Sequence, residues 1–162
     1  MQWGEFEKTA PEVAGSARQL IERWGFLIAG TIRRDGTPRM SPVEGHFVAG
    51  ELMLVMIKGS LKARDLLRDP RIVLNAPVTN AGDPGAELKV RGHVGAVDAE
   101  QRRTTAEAVA AASGWRPPDD WHFFSVDVDD VAHILWTDGA MDMTRWSARG
   151  GLQRELRPAP VL

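Results

Sequence analysis

The chain has 162 residues, 43% of them hydrophobic and 26% charged, with a formal net charge of −2. That length suits one domain, 1–162, able to bury roughly 70% of the surface its unfolded chain exposes. The near-neutral balance gives no electrostatic ground for a nucleic acid or an anionic membrane as partner. The lack of cysteine excludes disulfides, thiol catalysis and cysteine-held metals.

The start, M-Q-W-G-E-F-E-K, has neither the basic nor the apolar region of a signal peptide. No apolar run approaches the roughly 18 residues of a membrane helix, so a cytoplasmic location is expected. Thr9-Ala10-Pro11-Glu12 reads as a capping box, with Thr9 as N-cap. Val13, Ala17, Leu20, Ile21 and Trp24 follow at helical spacing, and Gly25 ends the helix. Phe26 to Ile32 reads as a strand, Arg34-Asp35-Gly36 as a hairpin turn and Arg39 to Val48 as its partner strand. Ala49-Gly50 turns the chain into a third strand, Glu51 to Ile57.

Next comes K-G-S-L-K-A-R-D-L-L-R-D-P, a glycine turn leading into a short helix closed by Pro70. Ser60 is a good N-cap, and the N–H groups of the first helical turn have no intrahelical partner. Lys58, Lys62, Arg64 and Arg68 gather there, so strand, turn and basic helix start form an anion site suited to a phosphate. The same residues also suit an ordinary capped surface helix with solvated cations.

Arg71 to Val78 is a further strand, Thr79 to Gly85 a loop, and Leu88 to Val97 a strand wetted on one face. Asp98 and Gln101 make a capping box for a helix reaching Ser113, stopped by Gly114. W-R-P-P-D-D-W is a loop, and His122–Val128 with Val131–Trp136 gives one or two strands. Ala140–Trp146 gives another, and a frayed tail starts at about 149. Hairpin turns, six or seven strands and three helices predict a mainly β fold, an antiparallel barrel with peripheral helices.

No dinucleotide, Walker or nucleophile-elbow motif occurs, and His46, His93, His122 and His133 lack metal-ligand spacing. A calcium loop counted from Asp127 would need glycine at Ala132 and an oxygen ligand at Val131. No acid–base pair or activated nucleophile stands out, so no catalytic residue and no metal is assigned. A cofactor that carries its own chemistry would need none.

F-L-I-A-G-T-I-R-R-D-G-T-P-R-M-S-P-V followed by L-M-L-V-M-I-K-G-S-L-K-A-R-D-L-L-R-D-P-R-I-V-L resembles the flavin-binding split-barrel superfamily. That superfamily includes the pyridoxamine 5′-phosphate oxidases and the deazaflavin-dependent reductases. The resemblance implies a split β-barrel, a homodimer with two cofactors between its subunits, and FMN or the factor-420 deazaflavin coenzyme as ligand. It implies that Ser60 and Lys62, with the amides of 61–63 (Ala63 included) and help from Arg64 or Lys58, hold the phosphate. Ser41, Pro42 and Val43 with Met56, Ile57 and Lys58 would line the ring system, and Trp146 or Arg145 would reach in from the partner subunit. The implied activity is hydride transfer to a small organic substrate. The alternative is a non-catalytic flavin- or haem-binding protein that stores or senses its ligand.

The chain departs from the family pattern in four places. Ser60-Leu61-Lys62 stands where S-R-K is frequent, Asp65 where the deazaflavin reductases often carry Asn, and Glu44-Gly45 where an aromatic residue is common. R-W-S-A-R-G-G replaces the late Arg-x-His pair of the pyridoxamine phosphate oxidases, so that activity is not carried over. The long anionic tail of the deazaflavin would suit extra cations near Lys58 and Arg64.

Overall fold

The computed structural model describes residues 1–76, 86–137 and 139–158. Eight antiparallel strands form one sheet: β1 (Leu27–Ile32), β2 (Pro38–Val48), β3 (Glu51–Met56), β4 (Arg71–Ala76), β5 (Ala86–Ala96), β6 (His122–Thr137), β7 (Ala140–Ser147) and β8 (Gly151–Pro158). Their order is β3-β2-β1-β4-β5-β6-β7-β8. A second pairing, Met53–Met56 of β3 against His122–Ser125 of β6, closes the first six into a barrel. The expected antiparallel barrel is therefore present, with β7 and β8 continuing outward from β6.

Among the described residues four helices accompany the sheet: α1 (Trp3–Thr9), α2 (Pro11–Trp24), α3 (Leu61–Arg68) and α4 (Ala99–Ser113). The expected Thr9 capping box does not form. Thr9 closes α1 instead, its hydroxyl bonding back to the Glu5 carbonyl at 2.8 Å, and Ala10 is the N-cap of α2. The capping box of α4 does form, and Gly25 and Gly114 end their helices in the left-handed conformation. The segment 79–85, expected as a loop, lies outside the described residues.

The barrel core takes Leu27, Leu52, Leu54, Met56, Leu74, Leu88 and Val90, and the helices α1 and α2 add Trp3, Phe6, Val13 and Ile21. A second cluster, Val55, Ala106, Val109 and Phe123, lies beneath α4. Strand β3 is thus buried on both faces, which is why Leu52 to Met56 reads as an unbroken apolar run. The expected one-or-two strands after residue 121 are a single strand of 16 residues. The tail expected to fray is β8, paired with β7 from Ser147↔Gly151 to Ala140↔Pro158. Every residue of β8 is exposed, so backbone pairing rather than burial defines it.

Candidate functional site

The turn between β3 and α3 is held from several sides. Gly59 takes φ +68°, a conformation that costs a side-chain-bearing residue strain. Its N–H donates to His122 Nε2 at 3.1 Å, and the Ser60 N–H donates to the Ile57 carbonyl at 3.1 Å. With Nε2 accepting, the His122 proton sits on Nδ1. The first helical bond runs from the Arg64 N–H to the Ser60 carbonyl, which leaves the amides of 61–63 at the open end of the helix.

Ser60 occupies the N-cap position but makes no side-chain cap bond, and its buried Oγ has no hydrogen-bond partner. An unpartnered buried hydroxyl is unfavourable by about 1–3 kcal/mol unless something else satisfies it. Among the described residues, the Arg64 side chain has no hydrogen-bond or ion-pair partner. Its guanidinium lies over Gly59, 3.6 Å from where a Cβ would stand there.

Lys62 donates to the Pro42 carbonyl and so ties the helix start to β2. Burial pushes its ammonium below the ordinary lysine range, and the charge of Glu44 opposes that shift. Lys58 pairs with Asp120 at 3.1 Å. At the other end of α3, Arg71 grips Asp69 through two bonds of 2.9 and 2.6 Å, chiefly responsible for holding that carboxyl at about 2.

The helix also has a buried anchor. Asp65, 4% exposed, accepts from Arg39 Nε at 2.6 Å and from Thr31 Oγ1 at 3.0 Å. Burial alone would raise its pKa, but Arg39, Thr31 and Arg68 together outweigh it and hold the carboxyl below the usual range. With Ala63 and Leu66 packed into the core, this network fixes which way the helix start points.

Ser60, Lys62, Arg64, Pro42, Ile57 and Lys58 are accordingly brought to one end of the barrel. Others in the expected set are not presented there. Adjacent strand residues point to opposite faces, so Pro42 is exposed while Val43 faces the core; Ile57, just past the end of β3, is exposed while Met56 is buried. Ser41 shares the Val43 face, and Ala63 is fully buried, which leaves only its backbone for a ligand.

Trp146 is 2% exposed on β7, with its ring centroid 4.5 Å from that of Phe6. The Trp146 ring is thus packed in its own chain's core, whereas the resemblance implies that Trp146 or Arg145 reaches in from a partner subunit. Arg145, its neighbour on β7, is exposed.

Sequence reasoning missed His122, Arg39 and Asp120 at this end of the molecule. His122 becomes visible as a candidate only once its register opposite Met56 is known. The donor set fits a phosphate: open helix amides, an unsatisfied serine hydroxyl, an unpaired guanidinium and a half-buried ammonium converge on one turn.

No protein-family model and no curated protein matches the sequence. Solved structures do match in fold. A heme binding protein from Mycobacterium smegmatis superposes with TM-score 0.59 at 15% identity, over 90% of this chain and 88% of that one. A pyridoxamine 5′-phosphate oxidase-related, FMN binding protein from Nostoc punctiforme gives 0.61 at 13%, over 90% and 96%. A factor-420 reductase gives 0.56 at 20% identity, over 70% and 94%. The eight-stranded antiparallel sheet, its closure through β3 and β6 and these likenesses agree: the chain has a split β-barrel fold, like that of the pyridoxamine 5′-phosphate oxidase-related, FMN binding protein.

Proposed function

We propose that the protein binds a phosphate-bearing flavin, FMN in the first instance, and uses it as an oxidoreductase on a small organic substrate. The observation that carries this reading is the unsatisfied Ser60 hydroxyl at the open start of α3, beside the unpaired Arg64. Ser60 Oγ, the amides of 61–63, Lys62 and Arg64 would hold the phosphate. A bound flavin accepts and donates hydride, and the protein's part is to bind, orient and exclude water. Pro42 and Ile57, exposed beside the phosphate site, offer the apolar contact surface a ring system needs. Lys62, tethered to the Pro42 carbonyl, couples the phosphate end to that surface. The factor-420 deazaflavin is the alternative ligand of the same site.

The protein acts, in this reading, as a homodimer whose interface completes the ring pocket. Exposed apolar side chains at this end of the barrel, Met40 at 75%, Ile57 at 59% and Leu61 at 57%, support such a covering surface. Sedimentation at micromolar concentration is expected to give a dimer; a monomer overturns that part.

A second reading, a non-catalytic flavin- or haem-binding protein, draws support from the likeness to the heme binding protein and from the lack of an acid–base pair around α3 among the described residues. The absorption spectrum of the purified protein separates the two cofactors, since flavin bands support the first and a Soret band supports haem. Calorimetric titration with FMN and with riboflavin, which lacks the phosphate, tests the site. FMN should bind far more tightly, and equal affinities would refute the phosphate assignment.

A further inference from the structure

The loop between α4 and β6 is built to hold a negative charge against the anion site. Pro117 and Pro118 stiffen it, and Arg116 pairs with Asp119 at 2.8 Å. Arg102 of α4 donates to the carbonyl of Asp119 at 3.3 Å and to that of Trp121 at 2.7 Å, so one guanidinium clamps the backbone on both sides of Asp120. Trp121 packs at a 56° tilt against Trp115 with centroids 5.1 Å apart, and the next residue, His122, accepts from Gly59. Asp120 is thus anchored at both flanks, with its carboxylate 3.1 Å from Lys58 Nζ.

An exposed ion pair contributes little to stability, so the contact between Asp120 and Lys58 adds little to folding itself. Its effect falls on the ligand. Lys58, counted from the sequence among four cations around the turn, already has a carboxylate partner. What remains for an incoming anion is the helix start, Arg64 and Lys62, enough to match one phosphate group. Negative charge extending past the turn toward Lys58 meets the Asp120 carboxylate.

We propose that Asp120 is the charge-selecting residue of the anion site: it admits a ligand that ends in a single phosphate and disfavours one with a longer polyanionic tail. The inference rests on the flavin reading above and deepens it, since it favours FMN over the tail-bearing deazaflavin.

The test uses the full chain, wild type and Asp120→Asn, titrated with FMN and with factor 420 at low and high salt. Removing the charge is expected to tighten factor-420 binding on the order of threefold or more, while FMN shifts by less than about twofold. The gain should fade at about 0.5 M salt, as a through-space charge effect must, and shrink when Lys58→Gln is added. Melting should be unchanged, because the pair is exposed. Equal gains for both ligands, no gain, or a gain that survives high salt overturns the assignment of Asp120 while leaving flavin binding intact. If neither ligand binds wild type or variant, the flavin reading itself is wrong, and the Asp120 proposal is refuted with it.

Discussion

Arg39 Nε donates to Asp65 Oδ2 at 2.6 Å, joining the start of β2 to the middle of α3 across 26 positions of chain. Both side chains are largely shielded from water, at 18% and 5% exposure. Asp65→Ala would strand Arg39 and the buried Thr31 hydroxyl without their acceptor. The expected loss is about 3–5 kcal/mol of stability, read in a urea melt. Asp65→Asn keeps the shape and removes the charge, and should fall between the two.

The pH dependence of stability follows from the same carboxyl. Its folded pKa lies below the ordinary value of 3.8. Its contribution is therefore complete above that value and is lost as pH falls through the folded one. Acid titration of the melting temperature should show a steeper decline below the ordinary carboxyl range in wild type than in Asp65→Asn. Parallel curves would refute the role.

For the phosphate site, Ser60→Ala and Lys62→Ala should each weaken FMN binding by about tenfold while leaving riboflavin affinity nearly untouched. Burial lowers the Lys62 ammonium, so FMN affinity should begin to fall at a pH below that of an ordinary lysine. In Lys62→Arg the fall should be absent across the same range. Fluorescence titration between neutral pH and mild alkali measures both.

Two glycines make a matched pair. A Cβ on Gly92 would overlap the Asp127 carbonyl at the bulge where β5 and β6 shift register, and backbone cannot retreat as a side chain can. Gly92→Ala should cost about 3 kcal/mol or more, with aggregation on expression as the extreme outcome. Gly15, inside α2, has nothing within 4 Å of its would-be Cβ. Gly15→Ala should raise stability by about 0.5–1 kcal/mol through helix propensity alone. Chemical denaturation of both variants checks the contrast.

Trp146→Ala should lose about 3–5 kcal/mol as a core truncation, whereas Trp146→Phe should fold and bind FMN as wild type does. A large loss of flavin affinity in the phenylalanine variant would return Trp146 to the site.

The residues that punctuate the chain were legible before the fold. Gly59 and Ser60 ahead of α3, Pro70 behind it, and Asp98 with Gln101 at α4 act through neighbours in sequence, so local chemistry reveals them. Helix α1 escaped notice because seven residues are too few to establish a period, and because Thr9-Ala10-Pro11-Glu12 mimics a cap. Strand β8 escaped because none of its side chains is buried, so it carries no apolar alternation toward a core. At the candidate site, the donors proposed for a phosphate lie within one turn and could be read directly. Arg39 with Asp65 and Lys58 with Asp120 are 26 and 62 positions apart. Only strand register and loop placement bring such partners together, and neither follows from composition.

Strand β6 closes the ring against β3 with its first residues and carries the β7–β8 extension, whose open edge is β8, with its last. A ring distributes any disruption over all its members, while an edge can give way alone. Amide exchange should therefore divide the molecule into two tiers. Amides from His122 to Val128 should exchange only when the whole domain opens. Those from Gly151 to Arg157 should exchange early, by peeling away from a β7 that Met143 and Trp146 still pin to the core.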